Sequence, residues 1–592
     1  MIRKKLTNIL PCVAFAILAF CVLLGMYPDM LYTAQDRNVF FATGSFFADR
    51  IHEPFGLMSY LGAYLTQFFY TPVVGVAILL VLWLAIYGIT LRVIRRDDED
   101  ITMSHRWLAL LPVSCLLWSI TGVGYWIYSL TLPGYWFAHT LAYLWVVLLW
   151  WGARSTRPSR RSFWYIVGVI GSYTFIGDYV FLFAMGMLAM ELSRPAMQRM
   201  GWLKLAGGSL LTIVWVLSIL RFSYEEMNFV QGLKCGLPYF ETNTVSSLRP
   251  SYPFILLVLF TMALFYVHKL KMKTWLTSVA TLLVLVGGVW LLGFHDYNYQ
   301  AEMRMNRAAM EDDWQQIIQE EQKAQNPSRT MVMFSHIALM NTGNLGNSAF
   351  AIANSGIEIN NPDSLNLNMM QIASPMVYYN YGKVQYALRW SMENTVAYGM
   401  SPYFMKLNMR CAKASGEERL YNRYKKLLSL TTMHGGWEPK PVSPLVQDLQ
   451  VSFLDVIDSD HDNCERYLIE NFSLAAGSSS PNVKELNLFY SMLYRDPQYF
   501  WTAFNAYYRM LKGASLPIHY QEAYLIMMEN FPVKLPYEVQ ITPSVQQNYR
   551  SYAQAVGQLQ QQGLSNDQIG PQLRSSWKHT YWWYLMYGRK TY

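Results

Sequence analysis

The sequence is poor in charged residues and lacks the common motifs of nucleotide, zinc and serine chemistry. Only 15% of its 592 residues are charged, whereas average soluble domains carry roughly 25%. It contains no G-x-x-x-x-G-K-[ST], no G-x-G-x-x-G after a predicted strand, no H-E-x-x-H and no G-x-S-x-G. These absences argue against ATP hydrolysis, dinucleotide redox chemistry, zincin proteolysis and serine hydrolysis by the common architecture.

The six cysteines and the positive charge also exclude classes of function. The cysteines are scattered without a C-x-x-C pair or metal-ligand spacing, so they predict no zinc or redox site. Lys and Arg cluster in short segments beside apolar runs, such as 92–96, 154–161 and 269–273. Because the positive-inside rule places basic residues there, the net charge of +8 reflects membrane topology, and no nucleic-acid partner is predicted.

Long apolar runs are abundant, and nearly all of them precede residue 295. Since roughly 20 apolar residues cross a bilayer, the runs predict a polytopic helical membrane domain over residues 1–294 with about nine spans. The predicted spans are Ile9–Met26, Val73–Val93, Trp107–Gly122, Tyr135–Gly152, two short spans in Phe163–Leu192 that turn at Gly177–Asp178, Trp202–Leu220, Tyr252–Val267 and Trp275–Phe294.

The N-terminus and the number of spans predict the orientation. Lys4 and Lys5 precede the first apolar run and no small-x-small cleavage site follows it, which indicates an uncleaved span with a cytoplasmic N-terminus. Nine spans then place residues 295–592 in the periplasm and the membrane domain in the inner membrane of a Gram-negative cell. Two alternatives stay open: Phe163–Leu192 as a single span, and Gly56–Tyr70 as a full span instead of a re-entrant segment.

The second half of the chain predicts an all-α domain of paired helices. Gly382 and Gly416 lie 34 residues apart between helix-length segments, which is the period of a tetratricopeptide helix pair. A looser unit surrounds Gly343. We therefore expect a tetratricopeptide-like repeat domain over 295–592, with a less regular insert at 438–480. A generic irregular helical domain is the alternative.

The connection Tyr27–Tyr70, between the first two predicted spans, mixes aromatic and charged residues. Neither a hydrated loop nor a lipid-buried helix suits this mixture, so we expect the segment at the membrane–water interface. It divides into an acidic entry (Asp29–Arg37), an aromatic helix (Val39–Ile51), a break at 54–56 and a surface or re-entrant helix (Gly56–Tyr70).

This connection also holds the strongest candidates for chemistry. A transferase that acts on a membrane-dissolved donor needs a carboxylate for a hydroxyl or a metal ion, and cations for a phosphate leaving group. The predicted catalytic residues are Asp29, Asp36 and Asp178, the predicted phosphate-binding residues are Arg37, Arg50, Arg221 and Arg249, and a divalent metal is the cofactor that such a reaction would use. The alternative is that these charges solvate the ends of interfacial helices. His139, inside the fourth span, faces a cavity or makes a helix–helix hydrogen bond.

Two resemblances bear on the fold and function. The order of one span, an acidic outer loop, many spans and an outer C-terminal domain resembles the C-type, lipid-sugar-dependent glycosyltransferases. This resemblance implies catalytic or metal-binding roles for Asp29 and Asp36. The chain lacks the paired acidic motif of that class. The segment FFADRIHEPFGLMSYLGAYLTQFFYTPVVG and the helix–Gly–helix units resemble an uncharacterised family of multi-pass membrane proteins from Bacteroidota with a C-terminal tetratricopeptide-like region.

Three functions are compatible with these observations. The first is a non-enzymatic scaffold that docks a partner protein in envelope or surface-glycan biogenesis, with anchors among Tyr378, Tyr379, Trp390, Tyr403 and Tyr424 or, alternatively, with those rings in the helical core. The second is a membrane transferase that uses a lipid-linked sugar. The third is a transporter. Membrane lipid is an expected partner in each case.

Overall fold

The chain folds into helices that form two compact units. The computed structural model describes residues 2–95, 101–122, 134–155, 161–192, 199–224, 228, 232, 236, 251–267, 273–324, 327–351, 369–452, 467–468, 471–472, 477–511 and 513–588. Unit 1 comprises Met1–His295 together with Tyr398–Tyr403 and Lys426–Trp437, and unit 2 comprises Asp296–Ala397, Phe404–Lys425 and Glu438–Tyr592. The sequence assigned all residues after 294 to the second domain, whereas two short later segments belong to unit 1.

The helices of unit 1 follow the predicted apolar runs. They are α1 (Ile2–Cys21, continued by a π-helical turn to Met26), α2 (Pro28–Arg37), α3 (Gly44–Ile51), α4 (Gly56–Thr66, continued by a 3₁₀ turn to Tyr70), α5 (Pro72–Ile94), α6 (Met103–Leu108), α7 (Leu110–Thr121), α8 (Tyr135–Ser155), α9 (Arg161–Ile170), α10 (Tyr173–Ile176), α11 (Tyr179–Leu192), α12 (Arg199–Phe222), α13 (Tyr252–Leu264) and α14 (Thr274–Leu292).

Four segments in the described part of the chain are helical, long and apolar enough to cross a membrane. They are Asn8–Met26, Pro72–Ile94, Tyr135–Ser155 and Thr274–Leu292, and shorter apolar helices cover Tyr179–Leu192, Ala206–Phe222 and Tyr252–Leu264. These helices indicate a membrane protein, whereas the count of nine spans stays a prediction. The apolar run 163–192 is broken around Gly177 and Asp178, as its composition predicts.

The connection between α1 and α5 is packed into unit 1. Its helix α4 lies against α8, and small residues allow the two backbones to approach closely. A Cβ atom at Gly62 would lie 2.5 Å from the carbonyl oxygen of Gly134 and 2.7 Å from Cβ of Ala138. Gly134 itself has φ +75°, a conformation that favours glycine. The predicted surface helix is therefore an integral part of the helical packing.

Unit 2 is built from successive helices, and short parts of three of them, within Tyr398–Tyr403 and Lys426–Trp437, belong to unit 1. The helices are α15 (Tyr297–Met310), α16 (Trp314–Lys323), α17 (Arg329–Asn341), α18 (Leu345–Ser348), α19 (Met369–Asn380), α20 (Val384–Tyr398), α21 (Pro402–Ala414), α22 (Glu418–Ser429), α23 (Pro444–Ser452), α24 (Pro481–Tyr494), α25 (Pro497–Tyr508), α26 (Ile518–Asn530), α27 (Pro543–Gln561), α28 (Asn566–Trp577) and α29 (Tyr581–Tyr587).

Glycines mark the turns between these helices. Gly382 joins α19 to α20 and Gly416 joins α21 to α22, with φ of +77° and +72°. Gly343 has φ +69° between α17 and α18. The sequence placed turns at all three positions, and glycine is favoured there because the left-handed conformation strains other residues. A tetratricopeptide-like superhelix stays a prediction. In the predicted insert 438–480, α23 is helical and most of 453–476 lies outside the described residues. Helix α24 begins directly after the insert.

Three buried glutamates lie in the first three helices of unit 2, and two of them, Glu302 and Glu321, form no ion pair within the described residues. Glu302 is on α15 and Glu321 is on α16, and both helices pack against α17. The hydroxyl of Ser328, the N-cap of α17, donates a hydrogen bond to Oε1 of Glu302. Oε2 of Glu302 and both carboxyl oxygens of Glu321 accept no hydrogen bond within the described residues. Burial raises the pKa of each group to about 8, because a charged form would lose its hydration.

These two carboxyl groups make the stability of unit 2 dependent on pH. With a folded-state pKa of about 8 and an unfolded value near 4.5, the folded protein binds more protons between these values. The stabilisation is therefore complete below pH ~4.5 and is lost as pH rises through ~8, on the order of a few kcal/mol for each group. We expect amide protection factors in α15–α17, measured by hydrogen exchange, to fall from pH 5 to pH 8.5.

The double substitution Glu302→Gln and Glu321→Gln should flatten this pH dependence, because amides do not ionise in this range. Glu393→Gln is the matched control, since Glu393 is half-exposed and pairs with Arg389 at 2.8 Å on the surface of α20. This control should keep the dependence of the wild type. If the double variant keeps the pH dependence of the wild type, groups other than Glu302 and Glu321 cause this dependence.

Candidate functional site

The acidic entry predicted at Asp29–Arg37 is the helix α2. Pro28 occupies its first turn with Asp29, and Arg37 lies in its last turn. This order of residues favours a helix for two reasons. Proline is pre-organised for the first helical position, and an acidic residue at the N-terminus and a basic residue at the C-terminus interact favourably with the helix dipole. Asn38 then leaves the helix in an extended conformation, and its Nδ2 donates to the carbonyl oxygen of Ala63 on α4 at 2.7 Å.

The charged residues of α2 lie mainly in the interior of unit 1. Asp29 is 3% exposed and Arg37 is 6% exposed, whereas Asp36 is half-buried. Asp29 and Asp36 are seven residues apart, so they share one face of the helix about 10 Å from each other along its axis. Gln35 is also buried, and its Nε2 donates to Oδ1 of Asp36 at 2.8 Å.

The two later segments of unit 1 complete this group of side chains. Nε2 of His434 lies 2.7 Å from Oε1 of Gln35, and the guanidinium of Arg37 lies 4.4 Å from the centre of the Tyr403 ring. Because an amide oxygen only accepts, Nε2 of His434 carries the donated proton. An antiparallel β-bridge also joins Phe41 to Thr431. The connection 27–70 is thus attached to 398–403 and 426–437 by a cation–π contact, a buried hydrogen bond and a backbone bridge.

We call Gln35, Asp36, Arg37, Tyr403 and His434 the α2 cluster. The side-chain amide of Gln35 donates a hydrogen bond to the carboxylate of Asp36 and accepts one from His434. These two hydrogen bonds fix the orientations of the three side chains relative to one another. A buried polar network of this kind rigidifies a structure when its members are satisfied. The contact with His434 could not be predicted from the sequence, because a contact across 399 residues leaves no periodic pattern, and Tyr403 was predicted only as a docking anchor or as a ring of the helical core.

The remaining predicted site residues lie elsewhere. Asp178 is buried in the turn between α10 and α11. Helix α10 packs on α4 and helix α11 packs on α8. Helix α2, which carries Asp29 and Asp36, packs instead on α5 and on the turn 67–70. The guanidinium of Arg50 lies 5.4 Å above the Phe46 ring, and Arg221 is exposed at the end of α12. Arg249 lies outside the described residues. The structure therefore groups Asp36 and Arg37, with Asp29 on the same helix, and does not bring Asp178 to them.

The described residues contain no group of three His, Cys, Asp or Glu side chains that could hold a metal ion. Cys12, Cys21 and Cys115 are free thiols, and Cys235 and Cys464 lie outside the described residues. The transferase roles of Asp29, Asp36 and Asp178 stay predictions. The geometry of the α2 cluster supports attachment of the later segments most directly.

Substituting either partner of the buried Gln35–His434 bond should destabilise unit 1. Gln35→Ala and His434→Ala each leave a buried polar group without its partner, at a cost of about 1–3 kcal/mol. In a double-mutant cycle, the thermal unfolding of the purified protein should show a coupling of about 0.5–3 kcal/mol between the two positions. His52→Ala, at an exposed position of the same connection, is the control and should show no coupling to Gln35→Ala. If the changes in unfolding free energy caused by Gln35→Ala and His434→Ala are additive, the two side chains do not interact as described.

Comparison with known proteins gives a family and no assigned activity. No curated protein matches the chain, and no solved structure matches it. A family model described as a family of unknown function matches residues 3–588. The chain therefore belongs to this family, DUF6057, over almost its whole length.

Proposed function

We propose that the protein is a membrane-anchored docking protein whose unit 2 binds extended peptide segments of a partner. The observation that carries this proposal is an aromatic face on α25 that already holds an extended segment of the same chain. The face consists of Trp501, Phe504 and Tyr508 on α25 with Tyr524 on α26; we call it the α25 face. The residues on α25 recur at intervals of three and four, which places them on one side of the helix.

The rings of the α25 face form a continuous stack. The Phe504 ring lies 5.5 Å from Tyr524 and 5.8 Å from Tyr508, both nearly parallel, and Trp501 lies edge-on to Tyr524 at 6.0 Å. Phe504 is fully buried, whereas Tyr508 and Tyr524 are half-buried. The face therefore combines a rigid apolar floor with partly open rings.

The segment from Phe531 to Ile541 lies along this face without forming a helix or strand. From Pro532 onward its residues alternate between exposed and covered, which is the pattern of an extended chain. Nε1 of Trp501 donates to the carbonyl oxygen of Phe531 at 2.9 Å, and the Tyr508 hydroxyl donates to that of Glu538 at 3.2 Å. The Tyr537 ring stacks on Tyr508 at 4.8 Å.

These contacts are of the kind that recognises extended, proline-containing peptides. Aromatic rings supply a flat apolar surface, and their N–H and O–H groups bind main-chain carbonyl oxygens, which are present in any sequence. Pro532 and Pro536 favour the extended conformation and lower the entropy lost on docking. A partner segment with these properties would take the place of 531–541. The predicted anchors Tyr378 and Tyr379, by contrast, are buried in unit 2.

The apolar helices of unit 1 support a membrane anchor for this docking unit. Within the proposal, unit 1 crosses the inner membrane about nine times with its N-terminus in the cytoplasm, and unit 2 is a periplasmic, tetratricopeptide-like domain. The positive residues that flank the apolar runs support this orientation. Envelope or surface-glycan biogenesis is the process in which we propose that the partner acts.

The proposal predicts that the chain's own segment binds the α25 face in trans when the face is vacated. In the full-length protein, residues 532–540 are replaced by a Gly/Ser linker of equal length, and a labelled peptide of sequence FPVKLPYEVQI is titrated by fluorescence anisotropy. We expect saturable binding to the linker variant and much weaker binding to the wild type, whose face is occupied.

The substitutions Trp501→Phe and Tyr508→Phe in the linker variant keep an aromatic ring at each position and remove the two donors. Each should weaken peptide binding by about fivefold, since one hydrogen bond contributes roughly 1 kcal/mol. A peptide with both prolines replaced by glycine should bind more weakly than the original. If the linker variant keeps the hydrogen-exchange protection of α25 and does not bind the peptide, the docking proposal is wrong.

A further inference from the structure

Five aromatic rings, those of Tyr179 and His139 among them, gather in unit 1. The His139 ring stacks on Tyr135 at 5.2 Å and meets Tyr179 at 5.4 Å and Phe254 at 6.0 Å. Tyr179 lies 5.8 Å from Phe254 and stacks on Phe55 at 6.3 Å. We call these five rings the aromatic box. Its members come from α8, α11, α13 and the N-terminus of α4, so four separate parts of unit 1 converge here.

Three buried polar atoms, on a residue of the aromatic box or on its neighbour in the sequence, have no hydrogen-bond partner within the described residues. They are both carboxylate oxygens of Asp178, which directly precedes Tyr179, and Nδ1 of His139. Each of these side chains is 2% exposed. The other ring nitrogen of His139, Nε2, lies 3.3 Å from the hydroxyl of Tyr179. A buried carboxylate without a partner is costly, and either a bound proton or a bound cation removes this cost.

The backbone around the box is also unusual. Phe55 has φ +67° at the N-cap of α4, a left-handed conformation that strains a residue with a large side chain. A Cβ atom at Gly236 would lie 2.7 Å from the Phe55 ring, so Gly236 leaves room for it. Strained residues persist where the surroundings fix them, and they cluster at ligand clamps. The left-handed backbone conformation of Phe55 places its ring over Tyr179.

The unpartnered atoms define the chemistry of the missing group. When Nε2–H of His139 donates to Tyr179, Nδ1 is an acceptor, so the place offers three acceptors in all. A primary ammonium carries one positive charge and three N–H donors, and aromatic faces attract cations. An anion would meet the Asp178 carboxylate. A metal ion would find no group of three ligating side chains within the described residues.

We propose that Asp178, His139 and the aromatic box bind a primary alkylammonium group. Two sources share this chemistry: the ethanolamine headgroup of a membrane phospholipid and a soluble primary amine. Phe254 is partly exposed and its helix α13 presents Tyr252 and Ile255 to the outside of unit 1, which gives the ligand a way in from that side. This site is separate from the docking face of unit 2 and does not depend on it.

The test measures the thermal unfolding of the purified full-length protein with ethanolamine, choline or sodium chloride at equal ionic strength. Ethanolamine should raise the unfolding midpoint of the wild type, and Asp178→Asn should weaken the apparent affinity by about tenfold or more, because it removes a charge-assisted contact. Choline, which has no N–H donor, should act more weakly. Asp49→Asn, at an exposed position of α3, is the matched control and should respond like the wild type.

A second arm separates the two sources of the ammonium group. The protein is placed in nanodiscs of phosphatidylglycerol alone or mixed with phosphatidylethanolamine, and the same midpoints are measured. A response to the ethanolamine lipid but not to the free amine supports the lipid headgroup, and a response to both supports a site open to soluble amines. An equal response of wild type and Asp178→Asn in both arms, or equal effects of ethanolamine, choline and sodium, would overturn the proposal. If Asp178→Asn does not fold, Phe254→Leu decides by the same criteria, since it removes one ring and keeps an apolar side chain.

Discussion

The close approach of α4 to α8 is the constraint on which the rest of unit 1 depends. At Gly62 and Gly134 the two backbones are so near that an added Cβ atom would overlap backbone atoms. Overfilling such a contact costs about 1–3 kcal/mol or forces the helices apart. This contact fixes the connection between the first two long apolar helices as part of the helical packing. Asn38 then ties α2 to α4 through Ala63, and Phe55 at the start of α4 reaches Tyr179.

The buried polar groups of unit 1 discussed above are of two kinds. The α2 cluster joins several of them: Gln35 links Asp36 to His434, and the Arg37 guanidinium lies over the Tyr403 ring. These contacts attach chain segments to one another. By contrast, the carboxylate of Asp178 and Nδ1 of His139 have no hydrogen-bond partner within the described residues. The joined side chains of the α2 cluster indicate attachment of chain segments, whereas the unpartnered groups of Asp178 and His139 are those that we propose to bind an ammonium group.

Local features of the chain could be predicted from its sequence. The apolar runs became helices, the run 163–192 breaks at Gly177–Asp178, and the turns at Gly382 and Gly416 have the positive φ that glycine favours. Such features depend on hydrophobic periodicity or on the conformational preference of one residue, which neighbouring residues reveal. The aromatic helix was expected at 39–51 and is shorter, at Gly44–Ile51, where Thr43 caps its first turn.

Contacts between distant parts of the chain could not be predicted. Pairing of Gln35 with His434 depends on two single side chains in segments without a shared pattern, and so does the position of Phe55 over Tyr179. From the sequence we predicted one role for Asp29, Asp36 and Asp178, because all three carboxylates were expected at the same outer level of the membrane domain. The structure separates Asp178 from α2, since it follows α10, which packs on α4, and precedes α11, which packs on α8. Only the packing of helices distinguishes these two environments.

The central claim is that residues 426–437 return to the connection 27–70 and form one unit with it. A disulfide between Phe41→Cys and Thr431→Cys tests it most directly, because residues paired in an antiparallel bridge have Cα atoms about 4.5–5.5 Å apart, within the range of a disulfide. Oxidation of the full-length variant in native membranes, followed by mass spectrometry of the unreduced peptides, should give the 41–431 link in high yield. Ser45→Cys paired with Thr431→Cys is the control and should give little. No link at 41–431, or equal yields for both pairs, would contradict the account.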